Sequence, residues 1–250
     1  GEGNISDEAA AFISIPVQNV STITEQVASF AVTNGNLFDL GAGPAGIAIG
    51  AEYRSEHGSY DPDYALSSGD VVGFNAGEGL SGGYNVKELF AEIDVPLLAD
   101  MPFVHKLEAN GAYRYSHYST AAKNVGTYSV GLIYAPVKDV TFRGQISRAV
   151  RAPTVYDLYS GQAQDFPTAS DPCELAAAVT DANLNASCLA TGVAASALGT
   201  AINGGSSQIE SVTGGNPNLR EETSDTWTAG VVLQPGFLPR FTATVDYYHI

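Results

Sequence analysis

The sequence predicts an all-β protein built as an antiparallel up-and-down meander of eight strands. Three observations lead there. Apolar and polar residues alternate with period 2 through several long segments, as strands with two unlike faces require. Short turns and long loops alternate between those segments. The composition, with Gly 27, Tyr 13 and Phe 10 against Met 1 and Trp 1, suits strands and turns and excludes an all-helical bundle. At 250 residues, with 44% hydrophobic and 15% charged residues, the chain is too apolar for disorder and long enough for a sizeable core.

In chain order, residues 21–33 form the weakest candidate strand, because both faces mix polar and apolar side chains. Residues 45–54 are the second, and 87–97 the third. Residues 106–118 alternate most clearly, with Leu107, Ala109, Gly111, Tyr113 and Tyr115 on one face and Lys106, Glu108, Asn110, Arg114 and Ser116 on the other. Residues 127–135 follow. In 140–148, Val140, Phe142, Gly144 and Ile146 oppose Thr141, Arg143, Gln145 and Ser147. In 225–233, Trp227, Ala229, Val231 and Leu233 oppose Thr226, Thr228 and Gly230, and in 240–249, Phe241, Ala243, Val245 and Tyr247 oppose Thr242, Thr244 and Asp246.

The links 34–44, 98–102, 136–139 and 234–239 are short and rich in Pro, Gly or Asp, whereas 55–84, 119–126 and 150–222 leave from the opposite end of the sheet. Short turns at one rim and long loops at the other describe a transmembrane β-barrel. Tyr53, Tyr113, Tyr115, Tyr118, Tyr128, Tyr134, Trp227 and Tyr247 stand near strand ends, where interfacial girdles belong. No apolar run is long enough for a membrane helix, which leaves a barrel open. A soluble or surface-anchored β-sandwich, with Tyr-rich loops for carbohydrate, is the competing reading of the same strands. The chain opens without a start methionine and stops inside an apparent strand, so it reads as part of a longer protein.

The charge is lopsided: 11 Lys+Arg against 27 Asp+Glu give a net −16, and the pI is near 4.3. Nucleic acid, which needs a cationic face, is excluded as a partner. Gly41-Ala42-Gly43-Pro44-Ala45-Gly46 matches the dinucleotide fingerprint in letters. The buried strand before it and the helix after it are missing, so a turn between two strands accounts for it and no cofactor is expected. Asp61-Pro62-Asp63 reads as a solvated loop before it reads as a calcium site. The four histidines have no ligand spacing, and no nucleophile or phosphate-loop motif supports an enzyme. Cys173 and Cys188 are the two cysteines, both in the longest loop, and predict a disulfide staple in an oxidising compartment. Asp171-Pro172-Cys173-Glu174 reads as a helix start, so the Ala-rich stretch to Gly199 predicts two short helices bridged by the cysteines.

Several segments together resemble the barrel of TonB-dependent outer-membrane receptors. They are Gly50-Ala51-Glu52-Tyr53-Arg54, Val86-Lys87-Glu88-Leu89-Phe90-Ala91-Glu92 with Pro96-Leu97-Leu98, and Gly111-Ala112-Tyr113-Arg114-Tyr115-Ser116. Ser147-Arg148-Ala149-Val150-Arg151-Ala152-Pro153 with Asp157-Leu158-Tyr159, and Gly215-Asn216-Pro217-Asn218-Leu219-Arg220-Glu221-Glu222, complete the ordered set. The resemblance covers most of residues 41–250. It implies TonB-coupled uptake of a scarce nutrient (siderophore, cobalamin or saccharide class) across the outer membrane of a Gram-negative bacterium. It further implies a barrel of roughly 22 strands, of which this partial barrel domain is about a third. The plug through which the TonB complex would act is absent from the chain. Lipid would face Tyr113, Phe142, Trp227, Val231 and Phe241, and the lumen would receive Glu92, Arg114, Arg143, Gln145 and Asp246. Arg148, Arg151, Pro153, Asn216, Pro217 and Glu221 are expected to be architectural, with the two prolines bracketing the long loop.

Overall fold

The computed structural model describes residues 5–200 and 208–250. They form two units. The larger contains one eight-stranded antiparallel sheet: β1 (Val20–Asn34), β2 (Gly46–Asp61), β3 (Leu80–Met101), β4 (Val104–Tyr118), β5 (Asn124–Val137), β6 (Val140–Arg151), β9 (Glu222–Leu233) and β10 (Ala243–His249). Each strand lies beside its sequence neighbour, in the order β1-β2-β3-β4-β5-β6-β9-β10, so β1 and β10 are the edges and the sheet is not closed.

Four points bear on the expectations, three of them corrections. The links are shorter than the loops read from sequence, because β2 runs on to Asp61 and β3 starts at Leu80. In the paired ends here, such as Glu56 opposite Tyr84 and Gly58 opposite Gly82, glycines and scattered polar residues break the alternation. Second, β5 starts at Asn124, leaving a link of 119–123 that is shorter than the 35–45 link; lengths do not alternate strictly, although the ends of the sheet do. Third, residues 21–33, the weakest segment in sequence, belong to a full strand, β1, whose residues are all exposed. Fourth, the last strand begins at Ala243 rather than at residue 240. Arg240 has φ of 71°, and the Phe241 N–H donates to the Leu238 carbonyl at 3.2 Å, so Phe241 closes a turn instead of pairing in the ladder.

The tight turns are chemically transparent. Met101 pairs with Val104 across Pro102-Phe103, and Val137 with Val140 across Lys138-Asp139. In the fingerprint-like segment, Gly41 and Gly43 have φ of 95° and 122°, and both donate their N–H to Asp39 Oδ1 at 2.6 and 3.1 Å. That is a glycine-dependent Asx turn feeding β2, not a phosphate cradle.

Helix α3 (Val155–Tyr159) also belongs to this unit. Thr154 caps it reciprocally: its Oγ1 accepts from the Asp157 N–H at 3.1 Å, and Asp157 Oδ2 accepts from the Thr154 N–H at 2.9 Å. The helix buries Leu158 among Tyr84, Val86, Tyr118, Ala122 and Val125, which is the core of the unit.

The second unit comprises Gly1–Asn19, Asp61–Gly79 and Gly161–Gly214. It contains α1 (Asp7–Ile13), α2 (Tyr64–Ser67), a small sheet of β7 (Ala163–Asp165) and β8 (Ser211–Thr213), and two short helices, α4 (Ala177–Thr180) and α5 (Ala182–Ala190). Asp171 caps a 3-10 turn at Pro172–Glu174 by accepting from the Cys173 N–H at 2.8 Å. The Cys173–Cys188 disulfide ties this turn to α5, and Ala178 and Leu198 pack on the buried cysteines. Asp63 caps α2, accepting from the N–H of Ala65 at 2.9 Å and of Gln18 at 3.1 Å; these bonds hold its carboxyl below the usual carboxylate range. That is the role of the Asp61-Pro62-Asp63 segment, and among the described residues no group of three or more metal-ligating side chains exists.

Candidate functional site: the charged face of the sheet

Register and pleat sort every strand residue onto one of two faces. Arg114 stands opposite Phe90 and Thr127, Glu92 opposite Ala112, Gln145 opposite Gly131 and Thr228, and Arg143 opposite Gly230, which faces Asp246. Glu92, Arg114, Arg143, Gln145 and Asp246 therefore share one face. Tyr113, Phe142, Trp227 and Val231 share the other.

At the α3 end of the charged face, the carboxylate of Glu88 is almost fully buried, with 6% exposure. It accepts from Arg114 Nη1 at 2.9 Å and from the Ser116 hydroxyl. The Arg114 guanidinium also lies over the Phe90 ring, 4.8 Å from its centroid. One step closer to α3, the Tyr84 hydroxyl donates to Glu56 Oε2 at 2.8 Å, and the rings of Tyr84 and Tyr118 are 6.3 Å apart. Arg54 Nε sits 3.4 Å from Glu56 Oε1 but is buried without a hydrogen bond. Sequence reasoning missed Glu56, Glu88 and Tyr84. The signal was available for Glu88, because it shares the parity of Glu92 on β3.

Farther along, Arg143 forks onto Asp246 with bonds of 2.9 and 2.6 Å, and Gln145 donates to the Ser129 hydroxyl. Arg143, Gln145 and Asp246, with Asn110 and Tyr248, line a hollow of about 550 Å³. Glu92 lines a neighbouring hollow of about 350 Å³ with Phe90, Arg114, Thr127 and Ser147, and has no partner of its own among the described residues.

The other expected architectural residues separate. Arg151 forks onto Glu222 at 2.9 and 2.6 Å on the charged face and lies 3.8 Å from Asp157. Arg148 stands on the opposite face, bidentate to Asp225 at 2.7 Å and over the Tyr128 ring. Pro153 is buried at the start of the 152–221 link, and Pro217 is exposed near its end. The Asn216 N–H donates to the Asp157 carbonyl at 2.8 Å, anchoring the far end of the link to α3. Glu221 Oε2 is buried without a hydrogen bond, 3.9 Å from Arg220 Nε, and it is the neighbouring Glu222 that takes the Arg151 fork. Asp157 is held below the usual carboxylate range by its bonds with Thr154 first and by the Arg151 charge last.

An antiparallel meander with one charged face, an opposite face whose middle band carries no charge, and long links at one end is the wall of a β-barrel. The chain belongs to the TonB-dependent receptor family: its β-barrel model (TonB dependent receptor-like, beta-barrel) matches residues 5–250. These proteins are transporters rather than enzymes, and the family resides in the outer membrane of Gram-negative bacteria. Among curated proteins nothing matches the sequence. The fold is similar to a ferric enterobactin receptor variant (PfeA) of Pseudomonas aeruginosa in complex with enterobactin, at TM-score 0.56 and 19% identity over 91% of this chain and 27% of that one. It is also similar to the siderophore receptor PirA of Acinetobacter baumannii, at TM-score 0.53 and 12% identity over 92% of this chain and 27% of that one. The chain thus spans about a quarter of the length of these receptors.

Proposed function

We propose that this chain forms part of the barrel wall of an outer-membrane receptor that takes up a scarce nutrient, of siderophore class, with energy from the TonB complex. The observation that carries the reading is the uncharged band on one face. On β4 the residues of that face between His105 and His117 are Leu107, Ala109, Gly111, Tyr113 and Tyr115. Twelve residue steps at ~3.3 Å, tilted by ~40°, give a height of ~30 Å, the thickness of a hydrocarbon core. The same face is uncharged from Tyr128 to Tyr134, from Phe142 to Ile146 and from Trp227 to Leu233. A water-soluble sandwich would cover such a face with a second sheet, and besides this one the described residues form only the two-stranded β7–β8.

In this reading Glu92, Arg114, Arg143, Gln145 and Asp246 line the lumen, and the Glu88–Arg114 and Arg143–Asp246 pairs let charge be carried there. Arg148, Arg151, Pro153, Asn216, Pro217 and Glu221 frame the rim from which the long link departs. Strands from elsewhere in the receptor complete the barrel to roughly 22, and a plug couples it to TonB. The siderophore class is favoured over cobalamin and saccharide by the two receptors whose fold it shares.

Membrane fractionation of the full-length protein containing this chain tests the proposal. Recovery in the outer-membrane fraction, released only by detergent, together with loss of ferric-siderophore uptake on deletion of its gene, is expected. Recovery in the detergent-free soluble fraction would reject it.

A further inference from the structure

The uncharged band ends differently at its two rims. On the face that carries it, the first charged or histidine side chain toward the long links is His57 on β2, Lys87 on β3 and His117 on β4. It is Arg148 on β6, Asp225 on β9 and His249 on β10. The one carboxylate among them, Asp225, is forked by Arg148. With 27 Asp+Glu against 11 Lys+Arg in the chain, an even scatter would give that rim the opposite sign. The edge strand β1 adds one ionisable residue, Glu25, and no cation. At the other rim, β3 and β4 instead present Asp100 and His105, 3.1 Å apart.

A second, independent observation is how these groups are arranged. Tyr53, Lys87, His117 and Asn124 stand directly opposite one another on β2, β3, β4 and β5, with successive Cβ atoms ~4.5–5.5 Å apart. Asn124 Oδ1 accepts from the Tyr115 hydroxyl at 2.9 Å and lies 2.7 Å from His117 Nδ1. Those contacts occupy the carboxamide oxygen and leave its NH2 group as a donor. Lys123 adjoins Asn124 in the 119–123 link. Every arginine except Arg240 has a carboxylate within 4 Å. Lys87 and Lys123 are exposed and make no ion pair among the described residues. In so acidic a chain, two ammonium groups flanking one amide donor are a built surface for an oxyanion.

Resting on the receptor reading above, we infer that the row Lys87–His117–Asn124, extended by Lys123, holds the phosphate of a lipid headgroup in the outer leaflet. Its position selects lipid over a free anion. The row borders a band as tall as a hydrocarbon core, at the end where long links mark the outer side. Lipid phosphates lie at that level and are kept there by their acyl chains, whereas a free phosphate has nothing else to hold it. A lysine there lays its stem along the apolar face and lifts its ammonium group to the phosphate. Tyr113, Tyr115 and Tyr128, on the same face, supply the aromatic rings that suit the headgroup level.

The test uses the full-length protein in a neutral detergent, with lipid A bearing phosphate monoesters as the probe and native mass spectrometry to count the lipid retained. The wild type is expected to retain lipid A and to keep it against inorganic phosphate. K87Q/K123Q should weaken retention about tenfold, and K87R/K123R should preserve it. K138Q, in the turn at the opposite rim, should leave it unchanged. Full retention by K87Q/K123Q, an equal loss in K138Q, or displacement by inorganic phosphate would overturn the inference and leave the receptor reading standing. A full-length protein recovered without detergent would overturn the receptor reading, and this inference with it.

Discussion

Glu88 and Asp246 are both carboxylates paired with arginine on the same face of the sheet, yet their surroundings make the pairs unequal. Glu88 is buried, so replacing Arg114 by Met leaves a carboxylate with only the Ser116 hydroxyl for company. The expected cost is about 1–3 kcal/mol, read from urea unfolding of the full-length protein in lipid vesicles. Arg143→Met removes a pair that water reaches, and should shift the same midpoint far less. Equal losses at both positions would contradict the burial difference. On the opposite face, Val231→Arg or Phe142→Arg should cost about 2–4 kcal/mol near the bilayer midplane, whereas Thr228→Arg and Gln145→Arg should be tolerated better. Asp157 gives a pH prediction. Its carboxyl is lowered in the folded state, so the capping bond is fully present above the ordinary Asp pKa of ~3.9 and fades as pH falls through the lowered value. Amide exchange in α3 should therefore accelerate only in strong acid, and Asp157→Asn, whose side chain does not titrate, should remove that acid dependence.

At the level of elements, period 2 located the strands that carry one face chemically unlike the other, and 21–33, mixed on both faces, was its weakest case. It failed at their ends. Where β2 and β3 run past the uncharged band, the face with Tyr84 and Val86 is covered by α3 while Gly58, Gly82 and Gly83 interrupt the pattern, so alternation fades. The mutual pairing of Arg143 with Asp246 was hidden for another reason: 103 residues separate them, and only the β6-β9-β10 order brings them together. The disulfide was legible because two cysteines in one loop allow a single intramolecular pairing. Closing a loop of about 15 residues is worth about 3 kcal/mol in loop-closure terms. Reduction, or Cys173→Ser with Cys188→Ser, should expose 173–188 to protease while the β6–β9 ladder stays protected from hydrogen exchange. Two free thiols in unreduced protein would reject the bridge.

For the whole molecule, the exposed edges decide what the chain can do alone. β1 and β10 each have one neighbour, and unpaired N–H and C=O groups in hydrocarbon cost several kcal/mol apiece. The 250-residue chain by itself is therefore expected to fail to insert into lipid vesicles, while the full-length protein inserts. Insertion of the isolated chain with a heat-resistant folded band on gels would mean that β1 and β10 find each other in a closed eight-stranded barrel. Eight strands suffice geometrically for closure, but the sequence already argued for an open sheet, because Glu92, Arg114, Arg143, Gln145 and Asp246 would crowd so narrow a lumen, and β1 and β10 stand unpaired with each other.

The anchoring of α3 has a consequence for how this surface can change. Gly215 donates to the Ser160 carbonyl at 2.9 Å and Asn216 to the Asp157 carbonyl at 2.8 Å, so the chain returns to its point of departure before β9 begins. A Cβ at Gly215 would stand 2.5 Å from Ser160 N and 2.7 Å from Tyr159 N, which reserves that crossing for glycine. With the two ends clasped together, whatever lies between Ser160 and Gly215 is an interchangeable cassette. Its length is nearly free of entropic consequence, since doubling a loop costs only ~0.6 kcal/mol. A foreign epitope grafted into this stretch is expected to leave the β6–β9 ladder protected from hydrogen exchange, because the clasp at Ser160 and Gly215 stays in place.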